Sequence, residues 1–235
     1  MELDEISNGS TISNLSNIQN NSGFLFDTEE PIYPPNIEEL VPEINNIITT
    51  ANLGNNLHLK NIASKLKNIE YNFNKSSNLI LRTKSSKITV TLFPCGKMIC
   101  SGAKNEKESK ATCLKIVKMI KKFENNVELK DFKIQNMVVS FDVKFKINLD
   151  KLFKELNLLI NNSKKFGNNY NYCKYNKNEF QGLIFYMNDS TINFIIYESG
   201  KIVLSGAKNR KEIYDVFKNI YPLLIESKNV YNEEI

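Results

Sequence analysis

A chain of 235 residues, 41% of them hydrophobic, has enough apolar sequence for one large domain or two small ones. Of its 26 acids, eight lie in residues 1–41, where there is no Lys or Arg; the remaining 18 meet all 31 basic residues in residues 42–235, a surplus of 13. A body that basic points to a polyanion, nucleic acid or a membrane surface, and the lack of any window long and apolar enough to span a bilayer excludes a membrane-crossing helix.

Residues 1–41 are Asn/Ser-rich and then acidic, with few large apolar side chains to offset ordering, and are expected to be a disordered arm. No basic flank leads into an apolar run there, so an intracellular protein without a secretory signal is expected. A β-branched run at 46–53 predicts a strand with Asn46, Ile48 and Thr50 on one face. Leu59, Ile62, Ala63, Leu66 and Ile69 then follow helical spacing. A turn region at 72–78 precedes strands at 79–83, 88–93 and 97–101 and a helix from about Asn105, which buries Cys113, Ile116, Val117 and Ile120. The order repeats: a strand at 136–143, a helix marked by Leu149, Leu152, Phe153, Leu156, Leu159 and Ile160, a Lys/Asn-rich surface loop at 161–178, strands at 183–187, 191–197 and 201–205, and a closing helix at 210–226. Cys95, Cys100, Cys113 and Cys173 form no C-x-x-C pair and His58 is the sole histidine, so reduced, mostly buried thiols and no metal site are expected.

The repetition is internal to the sequence as well. Gly96-Lys97-Met98-Ile99-Cys100-Ser101-Gly102-Ala103-Lys104-Asn105 returns as Gly200-Lys201-Ile202-Val203-Leu204-Ser205-Gly206-Ala207-Lys208-Asn209, which identifies one unit doubled. Domain boundaries follow: an arm at 1–41, a first repeat at 42–134, a second at 135–228 carrying the insertion, and a tail at 229–235. Strands followed by helices twice over predict an α+β fold with helices gathered on one side of an antiparallel sheet and the other side open.

Alternation places Lys97, Ile99 and Ser101 on that open side with Lys201, Val203 and Ser205, and Asn46 with Ile48 and Asn136 with Val138 complete a two-fold set. Short amides, hydroxyls and small apolar groups suit the minor groove of A·T pairs, which presents only the N3 and O2 acceptors; flanking lysines suit phosphates.

At these residues the chain resembles the TATA-box-binding protein (TBP) family over about residues 42–228. The most specific stretches are Asp131-Phe132-Lys133-Ile134-Gln135-Asn136-Met137-Val138, Asp142-Val143-Lys144-Phe145, the two Ser-Gly-Ala-Lys segments, and Glu212-Ile213-Tyr214 with Asn219-Ile220-Tyr221-Pro222. The resemblance implies a saddle of two pseudo-symmetric repeats, one curved antiparallel sheet with helices on its convex side and bent, A·T-rich promoter DNA under the concave side. It implies base contacts from Asn46 and Asn136, groove packing by Ile48, Val138, Ile99 and Val203, and hydroxyls from Ser101 and Ser205, where the family usually has threonine. Arg82, Lys97, Lys104, Lys201, Lys208 and Arg210 match residues near phosphates. Phe93 and Phe180 match rings that wedge base steps, Tyr197 replaces a third, and Ser76 falls where a fourth belongs, so that either nearby Phe73 takes over or this end kinks DNA less.

For partners, the resemblance implies transcription factors IIA and IIB and TBP-associated factors, no cofactor and a nuclear location, and leaves self-association of the DNA-free chain open. Lys110, Lys115, Lys118 and Lys122 match a basic helix face that meets transcription factor IIA. Asn176 and Asn178 stand where the family usually has glutamates that meet transcription factor IIB. Those departures, with Ser76 and a Gln181 in place of a usual proline, keep a second reading in view: a divergent relative acting through partners with weak or no TATA binding. An enzyme reading lacks a nucleophile, paired carboxylates or a metal cluster.

Overall fold

The computed structural model describes residues 40–67, 69–71, 77–83, 87–165, 172–187 and 191–229. Among them the elements run β1 (Glu43–Asn52), α1 (Leu59–Lys65), β2 (Ile69–Glu70), β3 (Leu79–Arg82), β4 (Thr89–Leu92), β5 (Lys97–Ala103), α2 (Glu106–Ile120), β6 (Lys130–Asp142), α3 (Leu149–Lys165), β7 (Tyr172–Lys174), β8 (Gly182–Tyr186), β9 (Asn193–Tyr197), β10 (Lys201–Ala207) and α4 (Arg210–Glu226). All ten strands join one antiparallel sheet in the order β2-β3-β4-β5-β1-β6-β10-β9-β8-β7. The central pair β1 and β6 is flanked by β5-β4-β3-β2 on one side and β10-β9-β8-β7 on the other, the mirror order expected of a doubled unit.

Alternation divides the sheet into two faces. Ile47, Thr49 and Ala51 of β1, Met137, Val139 and Phe141 of β6, and Met98, Cys100, Ile202 and Leu204 of the next strands are buried, while the residues between them are half-exposed. Helices cover the buried side: α2 packs on β5 and β1, α4 on β10, and α3 on β7, β8 and α4. The Phe141 ring of β6 stacks on Phe217 of α4 with centroids 3.9 Å apart, fastening helix to sheet; burying a ring of that size contributes about 1.5–3 kcal/mol.

The helices α2 and α4, which follow the doubled segment in each repeat, start alike. Asn105 Oδ1 accepts from Glu108 N–H at 2.8 Å, and Glu108 reaches back to Lys104 N–H at 3.0 Å; Asn209, Glu212 and Lys208 repeat this at 2.9 and 2.7 Å. Each arrangement satisfies N–H groups that a helix start leaves without partners.

The cores of the halves differ. Behind the first, Thr49 and Ser109 share a 2.8 Å hydrogen bond and Ser109 Oγ–H donates to Cys100 Sγ at 3.8 Å. A hydrogen bond with Cys113 draws the Cys100 thiol below its ordinary value and pushes Cys113 up. The second half has Val139, Ile213, Leu204 and Phe217 at the matching positions, an apolar set. All four cysteines are free, Cys95 exposed and the others buried; burial alone pushes Cys173 up to about 12.

Several boundaries differ from the sequence reading. Ile69 is in β2, paired with Leu81, because Leu66 turns extended and ends α1. The strand expected from residue 136 begins at Lys130, since it continues along β1 as far as the pair Asn52 and Lys130. Part of the expected loop at 161–178 is regular: α3 runs through Lys165, and β7 pairs with β8. His58 stands at the N-cap position of α1 with no side-chain cap bond, and its Nδ1 lies 3.3 Å from Glu124 Oε2.

Candidate nucleic-acid interface

Register turns the open face into rows. One row runs across four strands through Thr89, Ser101, Ile48 and Asn136; its dyad mate runs through Asn193, Ser205, Val138 and Asn46. Each repeat thus contributes the hydroxyl and the apolar group of one row, and the other repeat contributes its asparagine. A second pair of rows places Thr91, Ile99 and Thr50 on one side and Ile195, Val203 and Ser140 on the other.

Both asparagines are held identically. Asn46 Oδ1 accepts the backbone N–H of Gly102 at 2.7 Å, and Asn136 Oδ1 accepts that of Gly206 at 2.7 Å. The register slips beside both positions, between Ile47 and Ile48 and between Ser205 and Ala207, and the two glycines adopt φ of 102° and 105°. A side chain at either would strike a backbone carbonyl, that of Lys87 or Thr191. The bulge therefore turns an N–H toward the amide oxygen, and the Nδ2 group is left to donate. A face whose fixed amides donate is chemically matched to a groove floor that only accepts.

Cations surround this face. Lys97, Lys104, Lys201 and Lys208 are exposed. Arg82, outermost on the first row, holds Glu70 through Nε at 2.7 Å and Nη2 at 3.2 Å, which keeps that carboxyl below its ordinary range. Arg210 reaches across the pseudo-dyad to Glu106, at 2.8 and 3.0 Å, and the hydrogen bond lowers the Glu106 pKa. Lys144 does the same to Asp142, which pairs in register with Lys201. Both arginines matched to phosphates are thus ion-paired in the free chain.

The ring residues stand at strand ends. Phe93 and Tyr197 open equivalent turns, their carbonyls accepting from Gly96 and Gly200 at 3.0 Å. Phe180, 40% exposed, meets Tyr197 edge to face at 6.1 Å, and Gly182 leaves room beneath it, where a Cβ would come within 2.7 Å of the ring. Phe73 and Ser76 lie outside the described residues.

On the other side of the molecule, Lys110, Lys115 and Lys118 are exposed along α2, and Lys122 is exposed in the turn just past its end. The turn before Phe180 is closed by Asn176, whose side chain accepts from Asn178 N–H at 3.1 Å and whose carbonyl accepts from Phe180 N–H at 2.9 Å.

The open face also holds residues that the sequence reading did not single out: Thr89, Thr91, Ser140, Asn193 and Ile195. Period two along β4 and β9 carries their signal, but they break the match between repeats on which the reading relied. Among the described residues no group of three or more His, Cys, Asp and Glu side chains could hold a metal ion.

A two-repeat α+β saddle with helices on one face and paired donor amides ringed by lysines on the other has the features of a DNA-binding protein. A sequence profile described as "Transcription factor TFIID (or TATA-binding protein, TBP)" matches residues 41–123 and 131–227. The chain is 43% identical over 189 residues to the TATA-box-binding protein of Acanthamoeba castellanii, covering 80% of this chain and 68% of that one. It is 38% identical over 200 residues to that of Acetabularia peniculus, covering 85% and 96%. Among solved structures, Methanococcus jannaschii TBP superposes with a TM-score of 0.64 at 28% identity, over 79% of this chain and 98% of that one. The chain belongs to the TATA-box-binding protein family: it is a general transcription initiation factor and not an enzyme.

Proposed function

We propose that the chain works in the nucleus, binding A·T-rich, TATA-like promoter DNA through the minor groove, bending it and nucleating the initiation complex. The observation that carries this is the pair of Asn–Gly hydrogen bonds at 2.7 Å, one per repeat, which orient two amides as donors on one face. In this reading Asn46 and Asn136 donate to N3 and O2 acceptors, Ser101 and Ser205 read beside them, and Ile48, Val138, Ile99 and Val203 lie on sugars and base edges where a guanine amino group would go unpaired. Phe93, Phe180 and Tyr197 wedge the outer steps, with Phe73 serving the first repeat. Lys97, Lys104, Lys201, Lys208, Arg82 and Arg210 take phosphates, the arginines after exchanging their carboxylate partners.

No bond is made or broken: contact energy offsets a bending cost of order a few kcal/mol. The helix-covered side is then free for other factors. Lys110, Lys115, Lys118 and Lys122 offer a basic surface to transcription factor IIA. The turn of Asn176 and Asn178 meets transcription factor IIB without the charge of a glutamate pair, and TBP-associated factors share this side.

The test is binding of the full chain to a TATA duplex and to a G·C-substituted duplex at matched salt, with end-to-end fluorescence transfer reporting the bend. Tight, A·T-selective binding with bending is expected. Weak, unselective binding without a bend would overturn the DNA reading in favour of a relative that acts through its partners.

A further inference from the structure

The two dyad-related rows are chemically unequal at one strand. On the first, Thr89 of β4 faces Ser101, whose hydroxyl has no hydrogen-bond partner among the described residues. On the second, Asn193 of β9 faces Ser205, and Ser205 Oγ–H donates to Asn193 Oδ1 at 2.7 Å. Asn193 alternates with the fully buried Phe194 and so lies on the open face, half-exposed. Beyond it the second row continues into Tyr186 and Tyr172, whose rings are 5.8 Å apart, where the first row has the Arg82 cation beyond Thr89.

We infer that Asn193 is a third base-reading amide, present in the second repeat alone, which makes the two half-sites unequal in their tolerance of guanine. The inference rests on the minor-groove reading proposed above. Once Ser205 has committed its proton to Oδ1, its oxygen can only accept from DNA, and the donor role passes one strand outward to the Nδ2 of Asn193. An amide N–H₂ fixed by its own oxygen can only donate, so the base pair it meets must offer N3 or O2. Guanine puts a second donor there. Thr89, at the dyad-related position, carries a hydroxyl that turns to donate or accept and so meets either pair. Among the described residues this row ends in Tyr186 and Tyr172 and not in a cation, so the second repeat depends more on base edges than the first does.

The full chain is tested on a panel of duplexes in which each pair of an A·T-rich site is replaced in turn by G·C or by inosine·cytosine. Inosine lacks the 2-amino group and so separates that group from the rest of the pair. For the wild type one position should lose about tenfold in affinity with G·C, recover with inosine·cytosine, and have a dyad mate that loses less than about threefold. Asn193→Thr should make the two positions alike, and Thr89→Asn should bring a tenfold loss to the mate. Thermal melting of both variants checks that each is folded. An unchanged pattern in folded Asn193→Thr would overturn the inference, as would a wild-type preference for G·C at that position, since Oδ1 and not Nδ2 would then face the groove. A wild type indifferent to G·C everywhere would instead bring down the minor-groove reading itself, and this inference with it.

Discussion

The Asn136 side chain and the Gly206 backbone are joined by a 2.7 Å hydrogen bond from N–H to Oδ1, and Gly206 can supply it only because it sits at φ 105° in a bulge of β10. One local irregularity in one strand thus orients the amide of another, 70 residues away in sequence.

Asn136→Ala is expected to reduce A·T selectivity more than general affinity, by about tenfold in the ratio of TATA to G·C-substituted binding. Competition binding at one salt concentration measures it, and an equal loss on both duplexes would refute it.

Gly206→Ala should destabilise the chain by about 1–3 kcal/mol, since an alanine is strained at that φ and its Cβ would meet the Thr191 carbonyl. Urea unfolding gives the stability. Because the bulge also orients Asn136, the folded fraction should lose A·T selectivity as Asn136→Ala does.

Lys201→Ala removes an exposed cation at the start of β10 and should weaken binding to all duplexes alike. If the lysine neutralises one phosphate, the slope of log affinity against log salt should fall by about 0.9. A change in base selectivity with an unaltered slope would contradict the phosphate role.

Phe180→Ala removes a 40% exposed ring that rests edge to face on Tyr197. Fluorescence transfer should show a smaller bend at one end of the site, with stability changed by less than about 1 kcal/mol, as is usual for an exposed site.

The Arg210 and Glu106 pair joins the two repeats near neutral pH. Arg210 holds the Glu106 pKa below its ordinary 4.5, so the stability it contributes is present above that value and is lost as pH falls through the folded value. Both side chains are partly exposed, at 51% and 33%, so Arg210→Ala should cost under about 1 kcal/mol at pH 7. The difference from wild type should vanish in strong acid, as unfolding curves across pH would reveal.

The doubled decapeptide and the alternation around it were enough to place Asn46, Ile48, Ile99, Ser101 and their mates on one side of a sheet. Period two along a strand is a local property, and duplication makes it visible twice. The helices from about Asn105 and Arg210 were legible for the same reason, an apolar spacing of three and four along a local stretch, and in the structure Asn105 and Asn209 cap them. What local pattern does not carry is pairing over distance. Ile69 continues a helical spacing yet joins β2, because an edge of β3 was available to it. The strand β6 extends to Lys130 because β1 runs beside it that far. Arg210 meets Glu106 across 104 residues, and the Ser205 proton goes to Asn193 through cross-strand register. Periodicity along the chain determined which residues share the open face of the sheet; only the tertiary structure decided which of their donors and charges are already taken, because that depends on partners brought together by sheet register and by the pseudo-dyad.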